Sequence, residues 1–320
     1  MLTELYPLFI KPTIKNYIWG GKYFKDFIEF ENYHNEPIAE VWVIFDQNTV
    51  INGSLAGLTL QQIVQQYGAQ FLGARYFSQK PQKFPLLIKL LDCHEWLSIQ
   101  VHPGDEQAKQ LEGPDFNGKT EGWFVIDAKP GAELIAGVKP SVSRQMLKTH
   151  IENGTILNVL GRYPIQKNDA VFIASGTIHA LGPGSVIYEI QQNSDITYRI
   201  YDWERPLSAG RVLHLEKSIA VANTALQNQP KKITPAPRQN IFSCDYFSLD
   251  LFQSEHQRVE LSPNGESFHS LTIIEGQALF ESDVNRFTLN QFESVLIPAS
   301  HPSYHLQGDF QMLLGSLNEK

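Results

Sequence analysis

The chain has 320 residues, 42% of them hydrophobic, and a formal net charge of −8. That length can bury a large core and suits two domains, and nothing in the composition suggests disorder. The acidic balance argues against a nucleic-acid binder, which needs clustered Lys and Arg, whereas an anionic small molecule needs only a few cations converging in a cleft.

Two cysteines, Cys93 and Cys244, are too few for a disulfide framework or a Cys-rich zinc site and point to a reducing compartment. The opening MLTELYPLFIKP lacks the extended apolar core of a signal peptide, and no apolar stretch reaches the roughly eighteen residues of a membrane span. A cytoplasmic location is therefore expected, with no membrane association and no obligate protein partner.

In chain order, a Trp19-Gly20-Gly21 turn precedes a strand-like run at Val41–Phe45. Thr59 then stands as the cap of a helix in which Leu60, Ile63, Val64 and Tyr67 recur at helical spacing, with Gly68 at its end. From Pro85 the period changes to two. Pro85–Leu91 is apolar except for Lys89, and Trp96–His102 alternates, with Leu97, Ile99 and Val101 on one face and Ser98, Gln100 and His102 on the other. Further strands are expected at Glu121–Asp127, Ala132–Val138, Ala170–Ala174, Val186–Gln191 and Thr197–Tyr201, separated by Gly- and Pro-containing turns. A helix over Ser143–Glu152 should present Met146, Leu147, His150 and Ile151 on one face, and a second should cover Leu215–Ala222.

At Gln227–Asn240 the sequence turns polar and Pro-rich and reads as a linker or surface strap. Residues 241–320 return to short alternating strands. The expected organisation is a catalytic barrel with helical segments over 1–226, the strap over 227–240, and a degenerate second barrel over 241–320. A weak internal repeat supports two copies of one barrel. Asn168–Ser175 is echoed by Phe292–Ala299, and Gly122–Asp127 more loosely by Ser270–Glu275.

Gln100 and His102, two apart on an alternating strand, point to the same side, as a metal site inside a barrel requires. An exposed polar face carrying a surface histidine would show the same pattern. His179 follows a strand, a Ser175-Gly176 turn and two further residues, which resembles the second motif of the cupin superfamily, where that histidine completes a metal site. Two imidazoles, a carboxylate and an amide oxygen suit a borderline divalent ion such as zinc, with room for water or a substrate oxygen.

LSIQVHP (97–103), GKTEGWFVIDA (118–128), SGTIHALG (175–182) and EIQQNSDITYRIYDWER (189–205) together resemble the type I mannose-6-phosphate isomerases, and NYIWGG (16–21) and PLLIKLL (85–91) match as well. The likeness is strong over residues 5–210 and architectural beyond them, and it is closest to the short bacterial branch. It implies a mainly β fold of two cupin-like, jelly-roll barrels with a few short helices. The implied reaction is reversible aldose–ketose isomerisation of mannose 6-phosphate and fructose 6-phosphate through a cis-enediol, at one zinc per chain. The implied ligands are Gln100, His102, Glu121 and His179; Arg199, Lys119 and Asp195 are the implied catalytic residues, and Ser98 and Lys89 the substrate contacts. Lys119 and Asp195 both stand as candidates for moving the C2 proton. Longer members carry His-Lys-Pro-Glu where this chain has Gly118-Lys119-Thr120-Glu121, so any role of that first histidine does not transfer. A cupin that binds a sugar phosphate without turning it over would share the fold and the metal. It would not need Lys119, Asp195 and Arg199 together.

Trp19, Trp42 and Trp123 read as core packing rather than sugar platforms. His269, His301 and His305 read as ordinary surface or satisfied histidines.

Overall fold

The helix expected after Thr59 runs from Leu60 to Tyr67 in the computed structural model, which describes residues 4–27, 36–79, 83–206, 211–226, 228–234 and 236–318. Thr59 accepts from the Gln62 N–H while the Gln62 side chain accepts from the Thr59 N–H, a complete capping box. Leu60, Ile63, Val64 and Tyr67 are its buried residues, as the spacing predicts. Thr59→Ala should lower stability by about 1 kcal/mol, read as a lower urea midpoint at an unchanged slope.

The helix Arg144–Glu152 is capped by Ser143, but only Leu147 and Ile151 of the expected face are buried. Met146 is 45% exposed, because the helix lies on the sheet over a narrower stripe than the sequence suggests. The second expected helix is Leu215–Val221. A helix at Asp105–Leu111 was not anticipated, since its polar sequence carries no apolar period.

The strands form three antiparallel sheets. The first has five strands in the order Tyr198–Tyr201, Ile99–Val101, His179–Leu181, Glu133–Val138, Leu160–Pro164. The second has seven: Lys231–Lys232, Asp169–Ile173, Glu121–Ala128, Ser185–Gln192, Leu86–Cys93, Glu40–Ile44, Thr13–Lys15. Their inner faces share one core, with Leu91, Trp123, Val171 and Ile187 meeting Leu134, Ala136 and Leu181. The outer face of the five-stranded sheet, including Ile99, Val101 and Ile135, is covered by Leu147, Ile151 and Val221 of the two helices. The strand expected over Trp96–His102 is shorter, Ile99–Val101. Leu97 lies before it and packs in the inner core with Trp19 and Trp123, not on the Ile99–Val101 face.

The outer face of the seven-stranded sheet packs on the third sheet, Phe124, Tyr188 and Ile190 joining Leu249, Leu251 and Leu313. The long strands of this third sheet, Ser248–Leu261, His269–Glu281 and Tyr304–Ser316, shift register between Glu255 and Arg258 and between Ile273 and Glu275. Such irregularities bend strands, and these strands enclose a second apolar core of Phe252, Leu271, Ile273, Phe280, Leu306 and Met312. The fold is thus mainly β, of jelly-roll sheets with short helices. Leu8–Phe9, from the chain's start, pairs with Ser294–Ile297 of the third sheet. The Pro-rich segment places Lys231–Lys232 on the second sheet and opens the edge strand Arg238–Ser243 of the third; Gln227 and Pro235 lie outside the described residues.

The internal repeat has a structural counterpart. Gly122 pairs with Phe172 and Glu121 with Ile173; in the third sheet Ser270 pairs with Leu296 and His269 with Ile297. Asn168 and Phe292, the first residues of the two echoes, both adopt positive φ, 69° and 65°.

Candidate metal centre and substrate cavity

One row across the five-stranded sheet builds half of the site. Arg199 is the register partner of Gln100, and Gln100 that of His179. Directly opposed residues of an antiparallel pair project to one face, so the three side chains share the inner face. Glu121 comes from the facing sheet, where it pairs with Gln191 and Ile173. His102 follows the strand Ile99–Val101, and its carbonyl accepts from the Gly176 N–H at 2.8 Å. Gly176 has φ +86°, a left-handed turn conformation that glycine adopts without strain.

His102, Glu121 and His179 are fully buried, and a ligand atom from each lies within 4.8 Å of the others. His179 Nε2 stands 3.1 Å and His102 Nε2 3.7 Å from the Glu121 carboxylate. Each imidazole donates its Nδ1–H to a backbone carbonyl, His102 to Ile196 at 2.7 Å and His179 to Thr177 at 2.9 Å. That fixes the tautomer and turns both Nε2 lone pairs toward Glu121, the arrangement in which metal-binding histidines are held. Oε1 of Glu121 and Nε2 of His179 are buried without a hydrogen-bond partner. Orphaned buried acceptors are costly, and a divalent cation would satisfy both, so the residues fit a metal. Among the described residues no other group of His, Cys, Asp or Glu does.

Lys119 Nζ lies 2.7 Å from Glu121 Oε2 and 3.1 Å from His102 Nε2. Gly118, just before it, is where the chain passes so close to Gly104 and Asp105 that a Cβ would sit 2.5 Å from the Asp105 nitrogen. Burial holds both imidazoles neutral: His179 is pushed down to about 3 and His102 well below its ordinary value, with Lys119 adding to each. Burial also raises Glu121, to about 7, against the pull of Lys119. Neutral imidazoles in a buried pocket are ready metal donors.

Beside this cluster a cavity of about 280 Å³ is lined by Gln100, Lys119, Arg199, Ser98, Lys89 and Asp195, among others. Every catalytic and substrate residue expected from the sequence therefore reaches one space, together with Gln100, while the other three expected ligands sit beside it. Asp195 is exposed at its rim. Arg199 is half-buried with Nε unpartnered, and burial together with the neighbouring Arg211 lowers its pKa. Arg211 is paired with Asp202 at 2.8 Å, which leaves Arg199 as the guanidinium of this confined space that calls for an anion.

A cation inside an apolar strand needs an anionic partner, and for Lys89 the chain itself supplies one. Its ammonium lies 2.8 Å from Glu189 and 3.8 Å from Glu40, deep in the wall. Burial would raise the Glu189 pKa, but Lys89, Lys119 and the Trp123 indole N–H, which donates to Glu189 at 2.9 Å, bring it down to about 2. Trp19 and Trp123 are buried in the core as expected, while Trp19 and Trp42 also line the cavity.

Sequence reasoning missed Glu189 and Arg211. Glu189 carried a usable signal, a lone acid inside the apolar strand Ser185–Gln192 that matches the lone lysine in Leu86–Cys93. Arg211 carried none, because it lies in a segment without periodicity. It donates to Ser98 Oγ at 3.3 Å and is anchored by Asp202 at 2.8 Å.

Comparison with known proteins agrees along the whole chain. The family model for the catalytic domain of type I phosphomannose isomerase matches residues 8–122, and that for the cupin domain of mannose-6-phosphate isomerase matches residues 238–315. A probable mannose-6-phosphate isomerase, GmuF of Bacillus subtilis, is 32% identical, over 97% of this chain and 98% of its own. The mannose-6-phosphate isomerase ManA of the same organism is 32% identical over 99% and 100%. The crystal structure of a mannose 6-phosphate isomerase from Bacillus subtilis superposes with a TM-score of 0.86 at 31% identity, covering 97% of this chain and 99% of that one. A zinc-bound mannose 6-phosphate isomerase structure, 16% identical, shares the fold with a TM-score of 0.79 over 98% of this chain and 99% of its own.

Proposed function

Because this chain belongs to the type I mannose-6-phosphate isomerase family, we propose that it interconverts mannose 6-phosphate and fructose 6-phosphate at a single zinc ion held by Gln100, His102, Glu121 and His179. The observation that carries this reading is the buried His102–Glu121–His179 cluster, with Glu121 Oε1 and His179 Nε2 left without partners, beside a cation-lined cavity. Two imidazoles, a carboxylate and an amide, with no thiolate, suit a catalytic zinc ion better than a structural one. When bound, the ion supplies Lewis-acid polarisation of the sugar oxygens.

The chain's own residues account for the rest. Isomerisation takes a proton from C2 and returns it to C1 on the same face through a cis-enediol, so one group must hold the proton between the two carbons. We assign that task to Lys119, buried among the ligands and facing the cavity. Opening of the sugar ring goes to Asp195 at the solvent-exposed rim. Negative charge gathers on the substrate oxygens as the proton leaves. Arg199, beside Gln100 and with a free N–H, is placed to offset it. Ser98 and the neighbouring Arg211 are the phosphate contacts, and Lys89, its charge matched by Glu189, meets the sugar hydroxyls.

Purified protein should form fructose 6-phosphate from mannose 6-phosphate, lose that activity to a chelator and regain it with zinc. Stoichiometric metal and tight substrate binding without turnover would instead make this chain a sugar-phosphate binder. A cytoplasmic site of action suits the two free cysteines.

A further inference from the structure

The third sheet holds a larger cavity than the catalytic one, about 760 Å³ against about 280 Å³. Its position follows from the strands. Phe252, Leu271, Met312 and Leu314 face the apolar core of this sheet. On the same face, the neighbour of Phe252 is Asp250, that of Leu271 is His269 and that of Leu314 is Ser316. Asp250 is level with Leu314 and Leu271, and at the next level Ser248 faces Ser316, so the strands turn polar over two successive levels toward their ends and leave a polar chamber beyond the core. The internal repeat locates that chamber. His269 pairs with Ile297 as Glu121 pairs with Ile173, so His269 stands at the position of the metal-centre glutamate. The second barrel retains the chamber of the first without its cluster of metal-binding side chains, among the described residues.

The chemistry of the chamber is neutral inside. Asp250 is buried and takes a 2.9 Å ion pair from Arg238 and a 2.7 Å hydrogen bond from Asn240. His269 Nδ1 meets the Tyr304 hydroxyl at 2.7 Å, and burial lowers its pKa to about 4, so the ring adds no charge. Serine hydroxyls and amides make up much of the remaining wall. Glu266 lies exposed at the edge and disfavours anions, while Glu260 beside it is paired with Arg258 at 3.1 Å.

We propose that this chamber is a second, non-catalytic binding site for a neutral polyhydroxyl ligand of monosaccharide size. Polar side chains facing a cavity are hydrated, and a ligand displaces that water without loss only if it reproduces the hydrogen bonds. A sugar or polyol does so with its array of hydroxyls. A phosphorylated sugar would bring charge against Glu266 at the rim, with Arg238 and Arg258 already committed to Asp250 and Glu260. The site is therefore distinct in charge from the catalytic cavity, and it does not depend on the reaction assigned there.

Saturation-transfer NMR tests this on zinc-loaded protein kept saturated with the mannose 6-phosphate and fructose 6-phosphate equilibrium mixture, with free mannose and sorbitol as probes. Transfer to a probe should persist while the catalytic site is occupied. Ser262→Trp, at the chamber wall, should weaken it at least about tenfold in apparent Kd with isomerase activity unchanged. His269→Asn provides a second, smaller perturbation should the first variant fail to fold, and it should weaken transfer as well. No transfer to either probe in the wild type, or transfer unchanged in a folded variant, overturns the proposal. So does transfer that vanishes when the sugar phosphates are added, since the probes would then have occupied the catalytic cavity.

Discussion

Replacing His179 by alanine is expected to yield a folded chain that retains no stoichiometric divalent metal and isomerises mannose 6-phosphate at least about a thousandfold more slowly, a barrier raised by some 4 kcal/mol. His179 is fully buried, anchored through Nδ1 to Thr177, and its Nε2 faces the Glu121 carboxylate at 3.1 Å. Without it one of two neutral imidazole donors is gone, and the Glu121 carboxylate is left with Lys119 as its ion-pair partner. His179→Gln keeps more of the buried volume and separates loss of metal from loss of packing. Elemental analysis of the purified variants, beside a circular dichroism spectrum and an activity assay, checks the prediction. Retention of metal at wild-type level would remove His179 from the ligand set.

Arg199→Ala should behave differently: turnover falls by about a hundredfold to a thousandfold, the usual effect of deleting one stabilising donor from a catalytic site, while metal content stays at the wild-type level. Arg199 shares a register row with Gln100 and His179 but offers no atom that a cation would take. Its half-buried guanidinium, with Nε free and Arg211 beside it, is poised for charge that appears on the substrate. Arg199→Lys should recover only part of the rate, because an ammonium keeps the charge but loses the planar fork. Wild-type turnover in Arg199→Ala would take the arginine out of the chemistry.

Much of the site was legible because strand alternation is a strict rule. It placed Gln100 and His102 on one side of a strand, and in the structure His102 joins the buried cluster while Gln100 lines the cavity beside it, although Leu97 escapes the alternation by lying before the strand begins. Turn chemistry placed His179 after Ser175-Gly176, and the structure adds that Gly176 also braces His102. Glu121 was reached through family resemblance alone, since a glutamate opening a strand carries no local signal of its burial. Lys89 shows a further limit. A lone cation in an apolar strand announces that it has a partner, but only the pairing of Leu86–Cys93 with Ser185–Gln192 reveals Glu189 as that partner. The weak echo between residues 168–175 and 292–299 marked a true structural repeat, down to the register of its neighbouring strand. The polar end of the second copy is visible only once the strands are aligned in space.

Every role assigned above turns on one metal ion at the His102–Glu121–His179 cluster. Stepwise addition of zinc to metal-free protein, with mannose 6-phosphate turnover followed at each step, is the decisive measurement. Activity should be absent at the start, rise linearly and stop at one equivalent per chain. Full activity before any zinc is added, or one bound equivalent with no fructose 6-phosphate formed, would contradict it.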